Sequence, residues 1–269
     1  MTLPTIVSFW HGPMSWLEEL SIRSFVAAGH PYVLYSYEPI ALPDGAVNRD
    51  AADILPQSEM FFYKDGRSPA VFADYFRLRL LAEAKGLWCD CDMICLKPFA
   101  GLSDHVFGFE HDPGANGKRG QLNNAVLGLP ADSRLLKALL GLFEGESREI
   151  DPVWMPWFRR VEVRLRRLAG QRIGLEHMQF GATGPYPLTH FAYALGVIGE
   201  ARPSEVFYPV GYDDIGKLAE AGTRLEDVLS PQTLGLHVWR MGLTDRGRLS
   251  EPPLPQPGSA LADLIGRHR

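Results

Sequence analysis

The sequence predicts an α/β fold in which a mostly parallel, twisted sheet is flanked by helices, and three features carry that prediction. The first 37 residues read strand, helix, strand. Residues 69–98 read as a helix running straight into a short apolar strand. The length of 269 residues, 46% hydrophobic and 22% charged, suits one large domain with a substantial core. In open sheets of this kind ligands bind beyond the carboxyl ends of the strands.

The elements follow in order. Thr5 to Trp10 (TIVSFW) is an apolar strand closed by a turn at His11-Gly12-Pro13. Ser15-Trp16-Leu17-Glu18 has the form of a capping box, and Trp16, Leu17, Leu20, Phe25 and Val26 carry a helix on to Gly29. Pro31 to Tyr37 (PYVLYSY) completes a β-α-β unit. Residues 41–68 show no sustained periodicity and read as a loop-rich connection bordering a cleft. Ser68-Pro69 is a helix-start signal and Gly86 a helix-stop signal. Asp74 and Arg77, three apart on that helix, share a face; a surface ion pair is the plain alternative to a role in binding.

The stretch Leu87 to Pro98 (LWCDCDMICLKP) holds the most specific chemistry. It reads as a short strand whose end presents Asp90-Cys91-Asp92, and since side chains in a strand alternate with period 2, Asp90 and Asp92 project together and Cys91 points away. Two converging carboxylates offer hard oxygen ligands that suit Mg²⁺ or Mn²⁺ beside a substrate's phosphates. Acidic groups inside an apolar run are costly unless compensated, which weighs against a merely solvated turn. Cys89, Cys91 and Cys95 have no fourth ligand at zinc spacing and read as buried thiols of a reducing cytosol.

Downstream, 105–110 and 122–129 read as strands joined by a polar, Gly-rich lip. Asn123 and Asn124 interrupt the second strand, and buried amides demand partners. Asp132 caps a helix over 133–143. From Trp157 to Arg172 there are six Arg and one Glu, and the aromatic and apolar residues Trp154, Met155, Trp157 and Phe158 come before the first of these arginines. The 154–172 segment therefore suits peripheral contact with an anionic membrane or an acidic acceptor, or else is a helix with a solvated basic face. Gly181 to Pro185 is a turn opening a helix over 188–197, 206–210 reads as a strand, and Asp213-Asp214 caps a short helix. His237 interrupts the closing strand LGLHVW, and residues 246–269 form a Pro-rich linker with a short helix after a catalytic domain at 1–245. The net charge of −5 argues against general nucleic-acid binding, and the N-terminus lacks the pattern of a signal peptide.

The segments A-D-Y-F-R-x-x-x-L, G-L-W-x-D-x-D and a hydrophobic run ending in K-P resemble the D-x-D sugar-binding region of GT-A-type glycosyltransferases. The similarity is to the family-32-like group of capsular and lipopolysaccharide sugar transferases and yeast mannosyltransferases, related to the clostridial glucosylating toxins. It implies a GT-A fold and a cytoplasmic or peripheral membrane enzyme of polysaccharide biosynthesis. Such an enzyme moves a sugar from a nucleotide-sugar, here a UDP-sugar, to a carbohydrate or glycolipid acceptor with retention and with Mn²⁺ or Mg²⁺ as cofactor. By the same resemblance Asp90, Asp92 and His237 hold the metal. Phe9, Trp10, Asp74, Arg77 and Cys91 meet the nucleotide or donor, and Asn123, Asn124, Thr183, Gly184, Pro185 and Trp239 meet the sugar or acceptor. No catalytic nucleophile is identified. Trp88 stands where the family usually has Tyr, one Gly precedes the strand, and the family's S-W after Trp239 is missing. A sugar-nucleotidyltransferase needs a Gly-rich phosphate loop that His11-Gly12-Pro13 does not supply. A carbohydrate-binding relative without turnover is the non-enzyme alternative.

Overall fold

The structure is a computed structural model describing residues 2–62, 69–114, 117–144, 152–177 and 181–268. In chain order the elements are β1 (Ile6–Phe9), α1 (Trp16–Ala27), β2 (Tyr32–Ser36), β3 (Ala46–Asp50), α2 (Ala70–Ala82), β4 (Leu87–Cys89), β5 (Met93–Cys95), β6 (Val106–His111) and β7 (Gln121–Gly128). They continue with α3 (Arg134–Leu140), α4 (Trp157–Leu168), α5 (Pro185–Ala194), α6 (Ser204–Phe207), β8 (Gly235–His237), α7 (Arg240–Leu243) and α8 (Ala260–Arg267).

Six strands form one sheet in the order β3-β2-β1-β4-β7-β6. The first four run parallel, while β7 and β6 are antiparallel additions. The mixed α/β architecture with a largely parallel sheet is therefore the one expected. β1 and β4 are buried at every position, which is why both read as continuous apolar runs without alternation. α1 starts in the expected capping box, with Ser15 Oγ accepting from Leu17 N–H and Glu18 Oε2 accepting from Ser15 N–H at 2.6 Å. After α2 the chain reverses tightly at Gly86, where a Cβ would lie 2.4 Å from the Thr5 carbonyl oxygen.

A second, two-stranded sheet pairs β5 with β8, and Met93 sits opposite His237. This pairing decides the architecture of the site, because it returns a segment far along the chain to the turn after β4.

Several elements differ from expectation. The 41–68 connection contains β3, an edge strand (AVNRD) so open to solvent that it has no hydrophobic alternation to read. Ser68 lies outside the described residues, and α2 opens after Pro69 without a side-chain cap. α3 is capped by Ser133, whose Oγ accepts from Leu136 N–H, and not by Asp132. Residues 206–210 are not a strand; Pro203 opens the short helix α6 there, and Asp112 accepts from Ser204 N–H at 3.0 Å. Asp214 starts a short 3₁₀ turn without a capping bond and pairs with Lys217 instead. The Pro-rich stretch lies on the domain, since Trp16 Nε1 donates to the Pro252 carbonyl, and α8 buries Ala260, Leu261 and Leu264. Among the described residues no helix is long and apolar enough to cross a membrane.

Candidate metal and donor site

Asp90 follows β4 and Asp92 precedes β5, so the acidic pair lies in a turn and not within one pleated strand. Asp90 N–H is tied to the Ala125 carbonyl at 2.8 Å, and Met93 N–H returns to the Asp90 carbonyl at 3.0 Å. Convergence of the carboxylates thus comes from the turn and from β5-β8 pairing. Asp90, Asp92 and His237 each offer one ligand atom, and these atoms lie within 4.8 Å of one another. Two carboxylates and an imidazole form a donor set that suits Mn²⁺ and accepts Mg²⁺.

Asp90 is held by the cationic side of the site. Its Oδ1 accepts from Arg77 Nη2 at 2.8 Å and from Trp88 Nε1 at 2.6 Å. The Trp88 that departs from the resembling family's pattern therefore supplies an N–H to the acidic motif. Arg77 is only 4% exposed, so its pairing with Asp74 is no surface ion pair. The guanidinium lies 4.7 Å from the Trp88 ring centroid, and Nη1 reaches Asp74 Oδ1 at 3.2 Å.

Asp74 joins four predicted residues together. Asn124 Nδ2 donates to its Oδ1 at 2.8 Å, and Thr183 Oγ1 donates to its Oδ2 at 2.7 Å. A Cβ at Gly184 would fall 2.5 Å from Asn124 Nδ2 and 2.9 Å from Asp74 Oδ1, so only glycine admits this approach. Burial pushes the Asp74 carboxyl above its ordinary range against the pull of Arg77 and the Thr183 and Asn124 hydrogen bonds. Pro185 takes the first turn of α5. Asn123, on the other face of β7, donates to Glu110 Oε2 at 3.1 Å.

Asp92 has different partners. Its Oδ1 meets His237 Nε2 at 3.1 Å, and its Oδ2 accepts from Arg240 N–H at 2.8 Å. Burial opposes ionisation of Asp92, yet the charge and hydrogen bond of His237 outweigh it and leave the carboxyl below its ordinary value. Burial likewise opposes charging His237, and Asp92 reverses that, raising the imidazole. His237 Nδ1 is buried and has no hydrogen-bond partner among the described residues. The Trp239 ring lies 4.1 Å from the His237 ring, and Trp239 itself adopts a left-handed backbone, φ 51° and ψ 69°. Such strain in a bulky residue persists only where surrounding structure holds it, and it clusters at functional sites. Here Trp239 Nε1 donates to the Val210 carbonyl at 3.1 Å.

Trp10 lines a cavity of 360 Å³ with Tyr37, Ile40 and Gly12 at the carboxyl ends of β1 and β2. The Phe9 side chain instead packs in the core, 4.6 Å from the Phe76 ring centroid. Cys91 Sγ faces the Phe9 carbonyl at 3.8 Å, and burial pushes its thiol well up. Both side chains are therefore buried, Phe9 among core aromatics. A larger cavity of 660 Å³, lined by Pro4, Leu87, Phe99 and Val106, opens near the amino ends of β1 and β4 and far from this chemistry.

Sequence reasoning missed Arg240, Glu18 and Glu110. Arg240 reaches Asp92 through its backbone N–H, which leaves no side-chain signal. Its Nε pairs with Glu18 Oε1 at 2.9 Å and its guanidinium lies 5.7 Å from the Trp10 ring centroid, linking the two halves of the site. Glu18 was legible only as a cap, yet it is fully buried and has a second oxygen to satisfy.

No family model matches the chain. It is 25% identical over 146 residues to "Subversion of eukaryotic traffic protein A" of Legionella pneumophila, covering 54% of this chain and 22% of that protein. The chain thus spans about a fifth of that relative's length. Among solved structures it is similar to "PaToxG Glycosyltransferase", with 15% identity, a TM-score of 0.44 and 73% of each chain covered.

Proposed function

We propose that this protein is a metal-dependent glycosyltransferase of GT-A type that moves a sugar from a nucleotide-sugar, first of all a UDP-sugar, to a carbohydrate or glycolipid acceptor with retention of configuration. The observation that carries the reading is the meeting of Asp90, Asp92 and His237 beyond β4, beside the buried Asp74–Arg77 pair. Asp90, Asp92 and His237 would hold Mn²⁺ or Mg²⁺, which when bound offsets the charge of a departing diphosphate.

The chain's own residues do the remaining work. Arg77 and Trp88 fix the Asp90 carboxylate, and Arg240 N–H fixes Asp92, so both acids keep their orientation without ligand. The cavity at Trp10 and Tyr37 has aromatic walls suited to a nucleobase. Thr183, Gly184 and Asn124 close on Asp74 and set the boundary of the sugar site, while Trp239 covers His237. Gln121 and Asn123 both donate to Glu110 Oε2, which fixes that carboxylate beside β7.

The test is hydrolysis or transfer from a panel of nucleotide-sugars with Mn²⁺, with Mg²⁺ and with chelator. Metal-dependent turnover of one donor, lost by at least about 10³-fold in Asp90→Asn and Asp92→Asn, is expected. Nucleotide-sugar binding without turnover would make this a binding protein. Full activity in either variant at saturating donor would remove the site assignment.

A further inference from the structure

α4 is held to the domain on one side only. Of its twelve residues Val163 alone is buried, while Trp157 is 75% exposed, Leu168 84%, Leu165 60%, Phe158 53% and Val161 43%. At about 100° per residue these five apolar side chains fall within a single arc. Arg160 and Arg164 border that arc on one edge; on the other Glu162 comes first, ion-paired to Arg159 and Arg166 behind it. Helices of soluble domains normally turn such a stripe toward the core. Here it points outward, which marks it as a surface for something else.

Charge identifies the occupant. α4 carries five arginines and one glutamate, Glu162, which pairs with Arg159 and Arg166, in a chain whose net charge is −5. An apolar face bordered along one edge by Arg160 and Arg164, on a helix with a net positive charge in an otherwise acidic protein, complements an anionic lipid surface: those guanidinium groups meet headgroups while Trp157, Phe158 and the leucines enter the acyl boundary. We propose that α4 is a membrane-docking helix for anionic lipid. Its base lies next to the site, because Trp154 Nε1 donates to the Ala182 carbonyl at 2.8 Å and the adjacent Thr183 bonds Asp74. Docking would therefore hold the Thr183–Asp74 edge of the site close to the bilayer.

Co-sedimentation of the full chain with vesicles tests this without donor or turnover, so its outcome is separate from that of the glycosyltransferase reading. Vesicles of equal parts phosphatidylcholine and phosphatidylglycerol should sediment the protein at low ionic strength, pure phosphatidylcholine should not, and added salt should weaken the binding. Leu165→Glu/Leu168→Glu, at exposed positions, should lower the partition about tenfold or more with an unchanged thermal transition. Arg160→Glu/Arg164→Glu should do the same by reversing the charge along the bordering edge. Absence of binding to the anionic vesicles, or unchanged binding by the leucine variant, overturns the proposal. So does a dimer in sedimentation velocity that the leucine variant dissociates, since a second copy would then cover the face.

Discussion

Asp90 and Asp92 are two residues apart, yet they sit in opposite electrostatic settings. Asp90 is neutralised by the Arg77 guanidinium and by the Trp88 indole N–H. Asp92 is neutralised by His237, whose charge is conditional, and by a backbone N–H. The first carboxylate is permanently fixed, whereas the second shares its place with a proton that a cation would displace. A site built this way is assembled before ligand arrives but retains one group that responds to it.

The largest expected consequence is on the fixed side. Arg77→Ala would leave Asp74 and Asp90 buried or half-buried without their cation, and loss of one partner of a buried ion pair costs about 3–5 kcal/mol. Denaturant unfolding should show this as a strongly lowered midpoint. Arg77→Lys should recover only part of it, because one ammonium cannot span two carboxylates as Nη1 and Nη2 do. If Arg77→Ala unfolds at the wild-type midpoint, the fixed side is not a structural unit.

An intermediate effect is expected where the turn at Gly184 meets Asp74. Gly184→Ala should displace Asn124 from Asp74 and cost about 1–3 kcal/mol through overpacking and a broken buried hydrogen bond. Unchanged stability and donor use in this variant would show that the turn tolerates a Cβ.

The smallest effect separates the conditional side by pH. His237, raised above its ordinary 6.5, contributes stability that is fully present below that value and is lost as pH rises through its folded value. Asp92, lowered from 3.8, contributes stability that is present above that value and is lost as pH falls through its folded value. The metal-free protein should therefore gain most from this pair at mildly acidic pH, between those two ordinary values. The stability difference between wild type and His237→Gln should shrink as pH rises above 6.5. A difference that grows with alkaline pH would contradict the pairing.

Much of this was readable in advance where a residue's chemistry clashed with its surroundings. Asp90, Asp92 and His237 stood out as polar groups in apolar runs, Asp74 and Arg77 by shared helix face, and Asn124 as a buried amide. Each of these has a partner in the structure. What stayed hidden depends on geometry without a side-chain signature. The turn between β4 and β5 looks like one strand because both flanks are fully buried. β3 looks like a loop because an exposed edge has no pattern. Arg240 acts on Asp92 through a backbone N–H, and the return of His237 to Asp92 across 145 residues of chain becomes visible only in the β5-β8 pairing.

We propose that Asp90, Asp92 and His237 hold one divalent cation beside a diphosphate. Calorimetric titration of Mn²⁺ into the protein with UDP present tests it most directly, comparing wild type with Asp92→Asn and His237→Ala. One Mn²⁺ per chain is expected in wild type, with affinity at least about tenfold weaker in each variant and declining in wild type as acidification protonates His237. Equal Mn²⁺ affinity in wild type and both variants would contradict the claim.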